Sequence, residues 1–214
     1  MEQIRLHRET LESPLDYTDM LLTAQSDDSI TDHAVMATLI DLILAGTDTT
    51  ASVMSWVVAY LTTYPKYQTE IQEELKKSNS SQTLDMVLKE VLRIRPVAAI
   101  AVPHLTTEEV TVQGYTIPAN SMIIANLWGA MRDKDFCQDP LDFQPERWQN
   151  GDLDNFIPFG VGPRECVGKS LANMILKMAL PKICALKMKS SDVSLKPKFS
   201  LVVYPHEFHI NCCK

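Results

Sequence analysis

Residues 156–170, FIPFGVGPRECVGKS, set one cysteine, Cys166, in a loop with three glycines and with Arg164 two residues before the thiol. Gly160, Gly162 and Gly168 permit unusual backbone angles and close approach. The run that follows, 167–187, VGKSLANMILKMALPKICALK, reads as a helix with a bend or break at Pro181. A helix N-terminus offers free N–H groups and the positive end of its dipole. Together with Arg164 it favours the thiolate over the thiol of ordinary pKa about 8.5, and a thiolate is an iron ligand. Taken by itself, a lone cysteine near glycines is more often a buried structural thiol. The full spacing Phe-Gly-x-Gly-x-Arg-x-Cys-x-Gly, met by residues 159–168, is far more specific.

Working outward, 214 residues that are 45% hydrophobic and 22% charged are enough for one domain with a core, or for two small ones. Twenty Lys+Arg against 27 Asp+Glu give a net charge of -7, which argues against a general affinity for nucleic-acid phosphates. Cys137, Cys166, Cys184, Cys212 and Cys213 show no regular spacing, and pairing of the last two, adjacent, would be strained. They read as thiols of a reducing compartment, with no zinc framework. Residues 1–21 are mixed and charged and carry no targeting pattern. The most apolar run, 34–65, is broken by Asp41 and Asp48, so it reads as a helix buried in protein rather than a bilayer span.

The first half reads helical. Thr31 caps a helix that runs to residue 64 and ends before Pro65. A second, PKYQTEIQEELKK, opens on that proline and closes in SNSSQ; a third, LDMVLKEVLRI, stops before Arg95-Pro96. From there EEVTVQGYTIP alternates as strands around a turn at Gly114, SMIIANLWGAM is another apolar stretch, and the tail KFSLVVYPHEFHIN is strand-like. No repeat is visible. The order helix, sheet, helix, sheet predicts a mainly helical α+β domain.

Three further places carry polar chemistry. AGTDTT, residues 45–50, puts a glycine inside a helix at a cost of about 1 kcal/mol relative to alanine, beside Thr and Asp, which compete for backbone hydrogen bonds. It reads as a locally bent helix with satisfied hydroxyls or as a functional groove. Glu90 and Arg93 in LKEVLRIRP share a helix face and can pair, although such pairs on surfaces are common and worth little. In RPVAAIAVPHLTT, His104 follows a proline, where a histidine is usually a surface or packing residue.

The cysteine loop resembles the haem-thiolate signature of the cytochrome P-450 monooxygenases, and AGTDTT resembles the oxygen-binding groove of the same family. The resemblance implies heme b with Cys166 as axial thiolate, Arg164 and His104 on the propionates, and Phe159, Gly160 and Gly168 packed about the ligand. It implies Ala45 and Gly46 over the haem, Asp48 and Thr49 as proton-delivery residues, and a substrate pocket lined by Val97, Ala98, Ala99, Ile100, Ala101 and Val102. Glu90 and Arg93 then form the E-x-x-R pair, joined by Arg147 of Pro145-Glu146-Arg147 in a structural triad with no chemical step.

By the same resemblance the activity is insertion of one oxygen atom from O2 into a C–H bond of a lipophilic substrate, with electrons from NADPH-cytochrome P-450 reductase at the endoplasmic reticulum membrane. Residues 93–136 look most like the microsomal steroid hydroxylases of the 21-hydroxylase and then the 17α-hydroxylase/17,20-lyase kinds, which implies a steroid. The expected domain is a single partial cytochrome P-450 domain over residues 1–214, the C-terminal half of the fold, with the N-terminal half and membrane anchor outside it. A helical element is expected to be lost before the E-x-x-R helix. With the N-terminal half outside this chain, half of the long helix's usual cover is expected to be missing, which exposes apolar area and favours association. The alternative expectation is a catalytically inactive truncated or splice fragment acting through protein partners.

Overall fold

The structure, a computed structural model, describes Ile4 and residues 16–25, 30–151 and 153–213. Most of residues 1–21, read as free of a targeting segment, and the Cys213 side chain lie outside the described residues. The chain divides into two compact units, Met1–Asp48 and Thr49–Lys214. The fold class is mainly α with a small β content, as expected from the order of elements.

In the first unit, helix α1 spans Tyr17–Gln25 and buries Asp19 and Leu22. Helix α2, Asp32–Thr63, begins there and runs on into the second unit. Thr31 caps it as the sequence predicts: Ala34 N donates to Thr31 Oγ1 at 3.2 Å. Residues 41–48 are all exposed, with Ile43 and Leu44 each at 65%. That part of the expectation of a buried helix is corrected. Among the described residues α2 is the one helix long and apolar enough to cross a membrane. Its later turns are nevertheless packed in protein: Trp56, Val57, Ala59 and Leu61 are 0% exposed.

In the second unit those turns pack with α3, Pro65–Lys77, and α4, Gln82–Ile94. Pro65 opens α3, where its missing N–H has no helical partner to lose. Ser81 caps α4 by accepting from Leu84 N at 3.0 Å, so α4 starts two residues earlier than the apolar pattern predicts. Residues 78–81 are the whole connection between them, and Glu74 ties it down by accepting from Ser81 Oγ, Thr83 Oγ1 and Thr83 N. Tyr60 stacks on Phe143 at 4.3 Å between ring centroids.

Among the described residues, four two-stranded antiparallel sheets come after α4 in the chain. Strand β1, His104–Leu105, pairs with β4, Met122–Ile123. Strands β2, Val110–Val112, and β3, Tyr115–Ile117, form the predicted hairpin. Gln113 and Gly114 at its turn have φ of 48° and 84°, the double positive φ of a two-residue turn that matches strand twist. The apolar stretch 121–131 splits instead of forming one element. After β4 it turns into α5, Leu127–Ala130, because Asn126 Oδ1 accepts from Gly129 N at 2.9 Å.

Helix α6, Lys169–Cys184, passes through Pro181 without breaking, so of the bend or break expected there a break does not occur. Pro181 lacks one N–H, but Leu176, Leu180 and Cys184, at i, i+4 and i+8, are at most 1% exposed and hold the helix to the core on both sides of it. Strand β5, Lys187–Lys189, pairs with β8, Asn211–Cys213, and β6, Pro197–Phe199, with β7, Val203–Pro205. The strand-like tail is therefore a hairpin, a crossing segment and a returning strand. Gln68 of α3 brackets Met188 of β5, donating to its carbonyl at 3.0 Å and accepting from its N–H at 2.6 Å.

Candidate functional site

The support of the site is built around Glu90, on the buried face of α4 and 0% exposed. Among the described residues it accepts five hydrogen bonds. Arg93 donates Nη2 to Oε1 at 2.8 Å and Nε to Oε2 at 2.9 Å. Gln144 N reaches Oε1 at 3.0 Å and Arg147 Nε reaches it at 3.1 Å, while Trp148 Nε1 reaches Oε2 at 2.9 Å. Arg93, 1% exposed, spends its other N–H groups on the carbonyls of Met131, Pro140 and Asp142. Burial works against its charge; the hydrogen bonds and charge of Glu90 outweigh burial and raise its pKa. Arg147 donates Nη1 to Gln138 O at 3.0 Å.

The buried Glu90–Arg93 pair thus joins α4 to residues 131–148. The structure brings Glu90, Arg93 and Arg147 together, in a buried place where a surface pair would not be. Sequence reasoning missed Gln144 N and Trp148 in this cluster. A tryptophan following Pro-Glu-Arg carried the signal, since a buried indole N–H needs an acceptor. Glu146 faces the other way, accepting from the Tyr67 hydroxyl at 2.8 and 2.9 Å and pairing with Lys66 at 3.0 Å. Burial, then the bond to Glu146, pushes the Tyr67 hydroxyl up to about 12.

Trp148 leads to the cysteine loop. Its ring meets Phe156 edge-on at 4.6 Å, and Asn155 Nδ2 donates to Ala130 O at 2.6 Å. Within the loop, Gly160 N bonds Ile157 O at 3.0 Å, Glu165 N bonds Gly162 O at 3.0 Å, and Cys166 N bonds Phe159 O at 2.9 Å. Phe159 is half-buried against the hydrophobic core, so its backbone rather than its ring holds the cysteine. Gly160 and Gly162 have φ of 74° and 75°, and a Cβ at either would meet nothing within 4 Å. At Gly168, the N-cap of α6, the nearest atom to such a Cβ is Cys166 Sγ at 3.8 Å. Cys166 therefore precedes the helix cap by two residues. Its thiol is exposed, and so is Arg164. By contrast, burial pushes the Cys184 thiol up to about 12 and leaves it protonated in the core.

The segment after α4 is sewn to its neighbours by backbone. Val97 O accepts from Val203 N at 2.9 Å, Ala99 O from Trp128 N at 2.8 Å, and Ala101 N donates to Ala125 O at 2.9 Å. Arg95 anchors its start, donating Nη1 to Ile94 O and Nη2 to Leu195 O, with its guanidinium 5.2 Å from the Trp56 ring. Val97, expected in the pocket, is buried in the hydrophobic core at 8% exposure. Ala99 is half-buried against that core and Ala101 half-buried, whereas Ala98, Ile100 and Val102 are exposed. The tip of the β6–β7 hairpin, whose Val203 bonds Val97, carries Leu201 at 96% exposure, which sequence reasoning did not single out. His104 sits in β1 with an exposed side chain.

In AGTDTT, Thr47 Oγ1 donates to Ile43 O at 2.6 Å, the back-bond expected of a mid-helix threonine. Ala45, Gly46 and Asp48 are exposed, and a Cβ at Gly46 would meet nothing within 4 Å. Thr49 is half-buried and Thr50 buried. Ser52 Oγ and Trp56 Nε1, on the same helix, both donate to Val203 O, at 2.7 and 2.9 Å.

An exposed thiol on a glycine loop, next in sequence to a turn whose Arg147 and Trp148 bond a buried E-x-x-R carboxylate, defines a class, and comparison with known proteins gives it a family. The cytochrome P450 family profile matches residues 1–198. The chain belongs to the cytochrome P450 family. Cytochrome P450 2U1 of Homo sapiens is 33% identical over 97% of this chain and 44% of its own length. Steroid 21-hydroxylase of Bos taurus is 33% identical over 85% of this chain and 42% of its own. A solved zebrafish cytochrome P450, in a structure with progesterone, superposes with a TM-score of 0.91 at 29% identity, covering 100% of this chain and 56% of that one. The chain spans less than half the length of these curated relatives and has a partial P450 fold.

Proposed function

We propose that the chain is the thiolate-ligand part of a haem-dependent monooxygenase, with Cys166 as the iron ligand. The observation that carries this is the loop itself: an exposed Sγ, a backbone N–H already held by Phe159 O, and open space over Gly160 and Gly162. These features fit a flat macrocycle lying against the loop, where a side chain at either glycine would intrude. Among the described residues the Arg164 and His104 side chains have no hydrogen-bond or ion-pair partner, so both are available to propionates. Bound haem would supply oxygen activation, favoured by electron donation from an axial thiolate.

The chain's own residues do the rest. Arg164 and His104 bind carboxylates, the Phe159 carbonyl orients Cys166, and Gly168 leaves room beside the sulfur. Thr49 and Asp48 are assigned proton delivery, and Ala45 and Gly46 a small-residue surface for the cofactor, by family resemblance. Ile100 and Val102 present apolar side chains to a lipophilic substrate.

A steroid is the substrate class we favour. The likeness to steroid 21-hydroxylase and the progesterone in the zebrafish structure support it, although P450 2U1 is matched at the same 33% identity. NADPH-cytochrome P-450 reductase at the endoplasmic reticulum is the proposed electron source. The test is haem uptake followed by steroid turnover with reductase and NADPH. Wild type should oxidise the steroid, and Thr49→Ala should consume NADPH with less product. Equal product from both would remove Thr49 from the reaction, and haem uptake without any product would leave a haem carrier.

A further inference from the structure

Trp148 touches both the buried carboxylate and the start of the cysteine loop. Its indole N–H donates to Glu90 Oε2 at 2.9 Å, and its ring packs at a steep angle against that of Phe156, the first residue of the loop, with ring centroids 4.6 Å apart. The indole is 4% exposed, so its N–H has no water to turn to, and the bond to Glu90 fixes the plane of the ring. Lys89 lies over that ring at 5.9 Å from its centre. From Phe156 the backbone passes by way of the Gly160, Glu165 and Cys166 amide bonds to the thiol.

We propose that Trp148 is a positioning residue for Cys166: held by Glu90, it gives Phe156 a fixed surface and so sets the resting geometry of the loop. The proposal rests on reading Cys166 as the iron ligand for its consequence, but not for its test. Arg93 Nε still serves Oε2 when the indole N–H is removed. Trp148→Phe therefore takes away the orientation of the ring while leaving the carboxylate paired. Asn155, bonded to Ala130 O, is the competing tether of the same segment.

The test is hydrogen exchange, read by mass spectrometry, on the chain without haem. In Trp148→Phe, peptides covering 156–166 should exchange about 10–150-fold faster, the effect of losing one hydrogen bond to a charged acceptor on local opening. Peptides from α3 should stay within twofold, and Ser81→Ala, a cap loss elsewhere, should leave 156–166 unchanged. Phe156→Leu, which keeps the bond to Glu90, should speed the same loop peptides and spare those of α4; it carries the test alone if Trp148→Phe does not fold. Unchanged loop exchange in these variants, or a rise shared equally by α3, overturns the proposal. With haem loaded, the thiolate-type ferrous-CO band of Trp148→Phe should be lost several-fold faster than that of wild type. A wild-type chain with no such band removes the iron-ligand reading, and the exchange result alone still decides the role of Trp148.

Discussion

Around Glu90 charge is answered on every side; around Cys166 almost nothing is. The carboxylate is 0% exposed and takes five donors from α4 and from residues 144–148. The thiol is exposed, on a loop whose glycines leave open space and whose arginine has no partner among the described residues. An unpaired buried charge is expensive, so the region that must not move is closed by reciprocal hydrogen bonds. A ligand site has to keep its valence free. Rigid support and an open reactive group are therefore placed in adjoining parts of one unit, and Trp148 connects them.

The contrast breaks most visibly at its closed end. Glu90→Ala strands Arg93 in the core and should cost about 3–5 kcal/mol, the range for removing one partner of a buried pair. Urea unfolding would show it as a large fall in midpoint, and a loss below about 1 kcal/mol would mean that the cluster is not closed. Tyr67→Phe removes the hydroxyl held by Glu146 at the outer side of the same turn. A hydrogen bond to a charged acceptor is worth about 1.5–3 kcal/mol, and because Glu146 is 48% exposed the expected loss is about 1 kcal/mol after solvent screening.

At the connection between α3 and α4 the effect becomes pH-dependent. Burial works to raise the Glu74 carboxyl, and the hydrogen bonds from Ser81 and Thr83 outweigh it, so its folded pKa is lowered. That contribution is complete above the ordinary value of 4.5 and is lost as pH falls through the lowered folded value. Glu74→Gln should therefore lower stability at neutral pH and narrow its distance from wild type in acid. A gap that widens on acidification would contradict the sign. At the open end, Cys166→Ala should change stability by less than about 0.5 kcal/mol, as for an exposed site; a larger loss would make Cys166 a structural thiol.

The same contrast governs what the sequence discloses. Helix starts at Thr31 and Pro65 and the turn at Gly114 are local chemistry, and each lies where the residues imply. The spacing of the cysteine loop is legible because only particular residues serve there. The other donors to Glu90 are less so: Gln144 contributes a backbone N–H that has no sequence signature, and Trp148 signals only that a buried indole N–H needs an acceptor, not which one. Val97 faces the core, unlike the exposed Ile100 and Val102 of the same run, because the bond to Val203 sets that stretch against the terminal hairpin. Pro181 stays helical because tertiary packing at Leu176, Leu180 and Cys184 overrides a local preference.

The central claim is that the open end of this comparison is an iron-ligand site. The measurement that tests it most directly is the reduced CO-difference spectrum of the haem-loaded chain beside that of Cys166→Ala. Thiolate ligation predicts a Soret band characteristic of thiolate-bound ferrous-CO haem in wild type and its absence in a folded Cys166→Ala. The same band in both, or in neither, contradicts it.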